Sequence, residues 1–262
     1  MSSAHSGGDI SRSLELMWQG RERATRGPKP ALTLERIVGA AVALADREGL
    51  TALSMRRVAA ELGVGTMSLY RYVPGKGELI DLMLDHLAAP DEEEERALRE
   101  AEWRPALEAV AWSTYRHYHD HPWLLQVNQA RPLLGPNALR AFDASLAVLD
   151  GLGLSSPDKI SIISAIDAYI TGLARHYVLL RQANEESGIT DEEFWAAQGP
   201  IMATAMNTGD YPHVFALDET AFARSTEDSI RFGLDRLLDG IEAYVAAKRD
   251  DPAYPPPGGS CA

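Results

Sequence analysis

The stretch LTLERIVGAAVALADREGLTALSMRRVAAELGVGTMSLYRYVPGKGELIDLML, residues 32–84, decides the fold. Leu34, Ile37, Val38, Ala41, Leu44 and Ala45 recur at intervals of three and four, which draws an apolar stripe along one face of a first helix. Thr33 supplies a capping hydroxyl before it, and Gly49 stands where a left-handed C-terminal cap belongs. Ser54 opens a second, shorter helix on which Met55, Val58, Ala59 and Leu62 repeat with the same spacing. Gly63, Val64 and Gly65 make a tight turn, and a third helix is predicted from Thr66 to Val73, ended by Pro74 and Gly75. Two short helices across a glycine-containing turn form a helix-turn-helix. A fourth helix, Glu78 to Ala88, follows and stops before Pro90.

On the third helix, Leu69 and Val73 are i, i+4 neighbours that plug into the core of the first two helices. The opposite face then carries Thr66, Met67, Tyr70 and Arg71, with Ser68 at its flank. A recognition helix meets base edges near its N-terminus. There hydroxyls can bond several bases, and Met67 and Tyr70 offer apolar contact to a thymine methyl. Arg56, in the first turn of the second helix, has the length and planar fork for guanine, and Lys76 suits a phosphate. The plain alternative puts Met67 and Tyr70 in the core and leaves the basic residues merely solvated. The ordered set of cap, helix, glycine turn and tyrosine-bearing helix argues against it.

With these residues in place, the stretch resembles the TetR family of bacterial transcriptional repressors. LSMRRVAAELGV, SLYRYV and GKGEL carry the resemblance in that order, within a segment that is about a fifth of the chain. It implies that Arg56, Thr66, Met67, Ser68 and Tyr70 face bases of a double-stranded DNA operator and that Tyr72 and Lys76 touch phosphates. Gly65 and Met67 stand where the family more often has Ser and Pro. The Ala130-Arg131-Pro132 turn resembles the C-terminal domain of the tetracycline-repressor subgroup. Val127 occupies the place of that subgroup's metal-chelating His, so a magnesium-tetracycline ligand is not expected.

Outward from this head, residues 1–31 are polar and glycine- and proline-rich, and they read as a flexible basic arm. Arg21, Arg23, Arg26 and Lys29 would let the arm enter a minor groove or simply solubilise the chain. The DNA-binding domain is assigned to 32–89, an effector-binding and dimerisation domain to 90–250, and a disordered tail to 251–262. The acidic run Asp91 to Glu95 reads as a solvated hinge. Helices are predicted at about 103–121, 136–150, 158–184, 190–206 and 225–247, with no convincing strand, so the fold class is all-α.

Ile166, Ile170, Leu173, Tyr177 and Leu180 step by four and three, as do Ile230, Leu234, Leu237, Ile241 and Tyr244. Such stripes pack helices at a shallow angle, either inside one chain or between two. In the family the last helix and the 158–184 helix build the four-helix bundle of a homodimer, so a homodimer is expected. Trp103, Trp112, Tyr115, Tyr118 and Trp123 are rings that would either fill the core or wall a cavity for a small-molecule effector. Asn128, Gln129, Arg131, Tyr169, Arg175 and His176 are polar groups able to orient it.

Other chemistries find little support. His117 and His121 share one helix face, but His119 points elsewhere and no HExxH pattern exists, so no metal is expected. No cofactor is expected either, because the chain lacks a third glycine after Gly63 and Gly65 and has no GxxxxGK or GxSxG. A small helical enzyme and a DNA-bound structural protein without effector remain as alternatives. The single cysteine, Cys261, excludes an internal disulfide framework. No membrane span or leader is legible, so a cytoplasmic protein is expected. The net charge of −13 argues against a non-specific nucleic-acid coat, but it is unevenly spread. Residues 12–76 carry 11 basic against 6 acidic residues, while 90–262 carry 14 against 28. A small polyanion-binding head on a large acidic body fits that division.

Overall fold

The computed structural model describes residues 9–22, 32–218 and 220–249, and every regular element among them is helical. The head comprises α1 (Ile10–Glu22), α2 (Leu34–Glu48), α3 (Met55–Glu61), α4 (Thr66–Tyr70) and α5 (Lys76–Leu87). The body continues with α6 (Glu92–Glu100), α7 (Trp103–Asp120), α8 (Pro136–Ala147), α9 (Ser156–Ser187), α10 (Asp191–Thr208), α11 (Pro212–Phe215) and α12 (Thr226–Arg249).

Most local signals of the head act as read. Gly49, however, ends α2 at φ 79° and ψ 164°, outside the left-handed helical region expected of it, and the third helix stops at Tyr70 rather than Val73. The Thr33 hydroxyl accepts from the Arg36 amide at 3.2 Å and the Ser54 hydroxyl from the Arg57 amide at 3.3 Å. Each cap satisfies an otherwise orphaned amide and contributes about 1 kcal/mol. Gly49 and Gly63 adopt φ of 79° and 65°, where a side chain is strained. Ile37, Leu44, Val58, Leu69 and Val73 close the core that α2, α3 and α4 share.

The two turn glycines give a paired prediction. Nothing lies within 4 Å of a Cβ added at Gly63, so Gly63→Ala costs only its left-handed conformation, about 1 kcal/mol in urea unfolding. Gly65 has φ −71°, which any residue adopts, and the same substitution there leaves the midpoint nearly unchanged. Equal losses at both positions would refute this account of the turn.

Two readings require correction. Residues 10–22 are not part of a flexible arm but form α1, laid along α5. The Ser13 hydroxyl donates to Asp81 Oδ2 at 2.6 Å with both residues buried, and Met17 is buried beside them. The Asp9 amide adds a bond to Glu78 Oε1 at 3.0 Å. Arg21 falls in the last turn of α1, whereas Arg23, Arg26, Lys29 and the 251–262 tail lie outside the described residues.

The acidic run is likewise no hinge but the first turn of α6. Asp91 caps it, accepting from the Glu93 and Glu94 amides at 2.8 and 3.1 Å. Carboxylates at a helix N-terminus face its positive end, so a charge run that repels in a coil is stabilised there. Glu95 is buried and paired with Arg99 and Arg140.

Head and body meet along α5. Asp85, buried near its end, accepts from the Asn137 and Ala138 amides at 3.1 and 3.0 Å and so caps α8 from another helix. Gly135 permits this approach, since a Cβ there would fall 2.2 Å from Asp85 Oδ1. In the body, Ile166 and Ile170 of α9 pack with Ile230 and Leu234 of α12 in a second core. Tyr169 donates to the carbonyl oxygens of Ser229 and Ile230 over Gly233. The inner members of both apolar stripes are therefore packed within one chain, while Tyr244 remains exposed.

Candidate nucleic-acid interface

α4 projects its first turn from the head with Leu69 anchored beneath it. Met67 is 77% exposed and Tyr70 45% exposed, so neither is a core residue. Thr66 and Ser68 are half-buried beside them. Arg56 lies exposed at the start of α3, and neither it nor Arg71 has an ion pair among the described residues. Arg47 and Arg57, by contrast, are neutralised by Glu61 and Glu48 at 2.5 Å each. The unpaired guanidiniums thus stand with the exposed methionine and tyrosine, an arrangement able to meet both base edges and phosphates.

The two expected phosphate contacts sit differently. Lys76 is exposed at the start of α5 and donates one N–H to the Leu50 carbonyl at 3.2 Å, which leaves its other donors free. Tyr72 is half-buried and packed on the head core, with its hydroxyl donating to the Leu32 carbonyl at 3.0 Å. In that position it braces the entry to α2.

Behind α5 the body holds a cavity of about 510 Å³. It is bounded by the end of α5 at Leu87 and Ala88, by α6, by the middle of α7, by α8 and by Asp167 of α9. Of the expected ligand groups the structure brings few together there. Trp112 packs edge-on against Tyr115, with ring centroids 6.0 Å apart, and lies under the Arg231 guanidinium. Tyr115 opens instead onto a smaller pocket of about 350 Å³ with Tyr177 and Arg181. Tyr169 is committed to α12, His176 is exposed beside Tyr177, and Asn128 and Arg131 are exposed in the turn after α7.

The residues that do line the main cavity include Gln129 and Tyr118, together with His117 and Asp167. Asp167 was signalled only by being an acid within the apolar pattern of α9. Burial, with a smaller contribution from His121, lowers the His117 pKa to about 4, so its ring is neutral at pH 7. Burial also raises the carboxyl pKa of Asp167 and the hydroxyl pKa of Tyr118. Among the described residues no group of three or more His, Cys, Asp or Glu is arranged to hold a metal. The His121 Nδ1 lies 2.7 Å from Asp46 Oδ1, and the Trp123 indole donates to the same oxygen at 2.7 Å. His121 therefore contributes to a contact between body and head.

An exposed recognition helix fixed by its own small core, with unpaired arginines around it, defines a helix-turn-helix DNA-binding protein. Residues 37–83 match the model of the bacterial regulatory proteins of the tetR family, and residues 97–245 match the tetracyclin repressor-like C-terminal domain. The chain belongs to the TetR family of transcriptional regulators. It is 51% identical to the HTH-type transcriptional repressor DrrR1 of Streptomyces coeruleorubidus over 94% of this chain and 90% of that one. Among solved structures, apo ActR from Streptomyces coelicolor superposes with a TM-score of 0.63 at 25% identity, over 84% of this chain and 99% of that one. ActR bound to actinorhodin shares the fold, with a TM-score of 0.58 at 24% identity over 81% and 96% of the two chains. No described helix is long and apolar enough to cross a membrane.

Proposed function

We propose that this regulator is a homodimeric repressor that binds a near-palindromic operator and is released when a small molecule enters the body cavity. The observation that carries this reading is the position of α5. It begins at Lys76 beside the recognition helix, caps α8 through Asp85, and ends at the cavity wall. One short recognition helix spans too few base pairs for useful specificity. Two-fold symmetry sets a pair of them roughly 34 Å apart, about one turn of DNA. Dimerisation is supported further by α10, an 18-residue helix with no buried side chain and with Phe194, Trp195, Ile201 and Met206 exposed. A ligand moves the heads only if it prefers the conformation in which they are wrongly spaced.

Base reading and phosphate anchoring separate by mutation. Arg56→Ala costs about 1 to 3 kcal/mol and relaxes the preference at one base pair per half-site. Lys76→Ala weakens all sequences alike and lowers the slope of log K against log salt by about 0.9 per protomer. An unchanged ranking of operator variants for Arg56→Ala would remove that residue from base reading.

The whole reading is tested by selecting an operator from random duplexes and then titrating candidate ligands with and without it. A coupling of about 1 to 3 kcal/mol weakens operator binding roughly 5- to 150-fold at saturation, and the operator weakens ligand binding by the same factor. A monomer that binds one half-site as tightly as two, or equal ligand affinity in both titrations, would refute it.

A further inference from the structure

We propose that the body cavity takes an apolar, ring-bearing ligand with a protonated amine, and that the ammonium group sits against Asp167. This deepens the effector reading above and rests on it.

Four carboxylates face the cavity, and the chain itself supplies partners for three of them. Asp91 is occupied by the amides of α6, Glu94 by Arg116 at 3.2 Å, and Glu95 by Arg99 and Arg140. Asp167 has no hydrogen bond or ion pair among the described residues. Its carboxyl pKa is raised by burial alone, with no neighbouring cation to lower it. It nevertheless stays open to the cavity, so a ligand can reach it.

The positive groups nearby do not meet this need. Arg116 is engaged by Glu94, and His117 is neutral at pH 7. Asp167 is exposed on the cavity side and carries no counter-charge of its own, so an entering cation gains an ion pair that no described side chain already supplies. Small apolar side chains also line the cavity, among them Ala88, Ala97, Ala109, Ala141 and Ala144. Their methyl groups offer an apolar ligand surface contact without hydrogen bonds, in a cavity of about 510 Å³.

Three probes on one ring system isolate the charge: 1-pyrenemethylamine, 1-pyrenemethanol and 1-pyrenecarboxylate. They are titrated against the full chain at pH 7 without DNA and followed by fluorescence and calorimetry. The amine is expected to bind roughly tenfold more tightly than the alcohol, and the carboxylate most weakly. Asp167→Asn removes the advantage of the amine and leaves the affinity for the alcohol in place, whereas Asp167→Glu retains that advantage. Circular dichroism melts check that both variants are folded, and the ranking on the unmodified chain stands without them. An amine that fails to bind, that binds no better than the alcohol, or that keeps its advantage in folded Asp167→Asn overturns the proposal. The effector reading fails separately. If the amine binds through Asp167 but leaves operator affinity unchanged, the charge preference stands and the sensor role falls.

Discussion

Trp123→Ala is expected to lower the stability of the chain by about 3 to 5 kcal/mol, the range for truncating a buried aromatic. Trp123 follows α7 in the sequence, yet it is 1% exposed within the core of the head, together with Leu124 and Val127. Its indole N–H donates to Asp46 of α2, on the oxygen that His121 also approaches. A side chain of the body therefore completes the DNA-binding unit, and head and body should melt in one transition. Trp123→Ala should separate the head transition from that of the body. Trp123→Phe keeps most of the volume but withdraws one donor from Asp46, and a smaller loss of about 1 to 3 kcal/mol follows. Denaturation followed by circular dichroism measures both. A loss below about 1 kcal/mol for the alanine variant would show that the ring does not anchor the head.

The second large effect is a response to acid. The His117 pKa falls from an ordinary 6.5 to about 4 in the folded chain, chiefly through burial. The unfolded chain therefore binds the extra proton first, and stability falls as the pH drops from 6.5 towards 4. Over that window the loss amounts to about 3 kcal/mol. It is complete below pH 4 and absent above pH 6.5. Asp167 acts with the opposite sign, because its raised pKa favours the folded state when it is protonated. The difference between the chain and His117→Gln isolates the histidine. The glutamine variant should show a flatter acid limb in urea unfolding between pH 4 and 6.5, and an identical limb would mean that His117 is solvated.

The sequence was most informative where the determinants are local. Thr33 and Ser54 act through hydroxyls that cap the helix each one opens, and Gly49 and Gly63 through their positive φ, all within a few residues, and α2 and α3 follow from them. α1 escaped because its apolar face, Leu14, Leu16 and Met17, is short and interrupted by Ser13, whose burial against Asp81 is set by packing on α5 rather than by local sequence. α6 escaped because four consecutive glutamates read as mutual repulsion until Asp91 and the helix end are seen to absorb it. On the recognition helix, the division between anchored Leu69 and exposed Met67 and Tyr70 was legible from spacing alone. The cavity was not. Its walls come from α5, α6, α7, α8 and α9, and which way Asn128, Arg131 or Asp167 faces depends on packing between elements far apart in sequence.

α10 has a consequence for kinetics. It is 18 residues long, contains Pro200, and buries none of its side chains. A helix held by little beyond its own backbone bonds is marginal in water, so its amides exchange with solvent almost as freely as those of an unfolded chain. Covering by a second protomer would slow them by whatever free energy the contact supplies. Deuterium uptake at residues 191–208 therefore becomes a concentration-dependent clock. Fast exchange in dilute protein and slow exchange in concentrated protein would report association at that helix without a label, while the amides of α2 and α5 keep the same rate throughout.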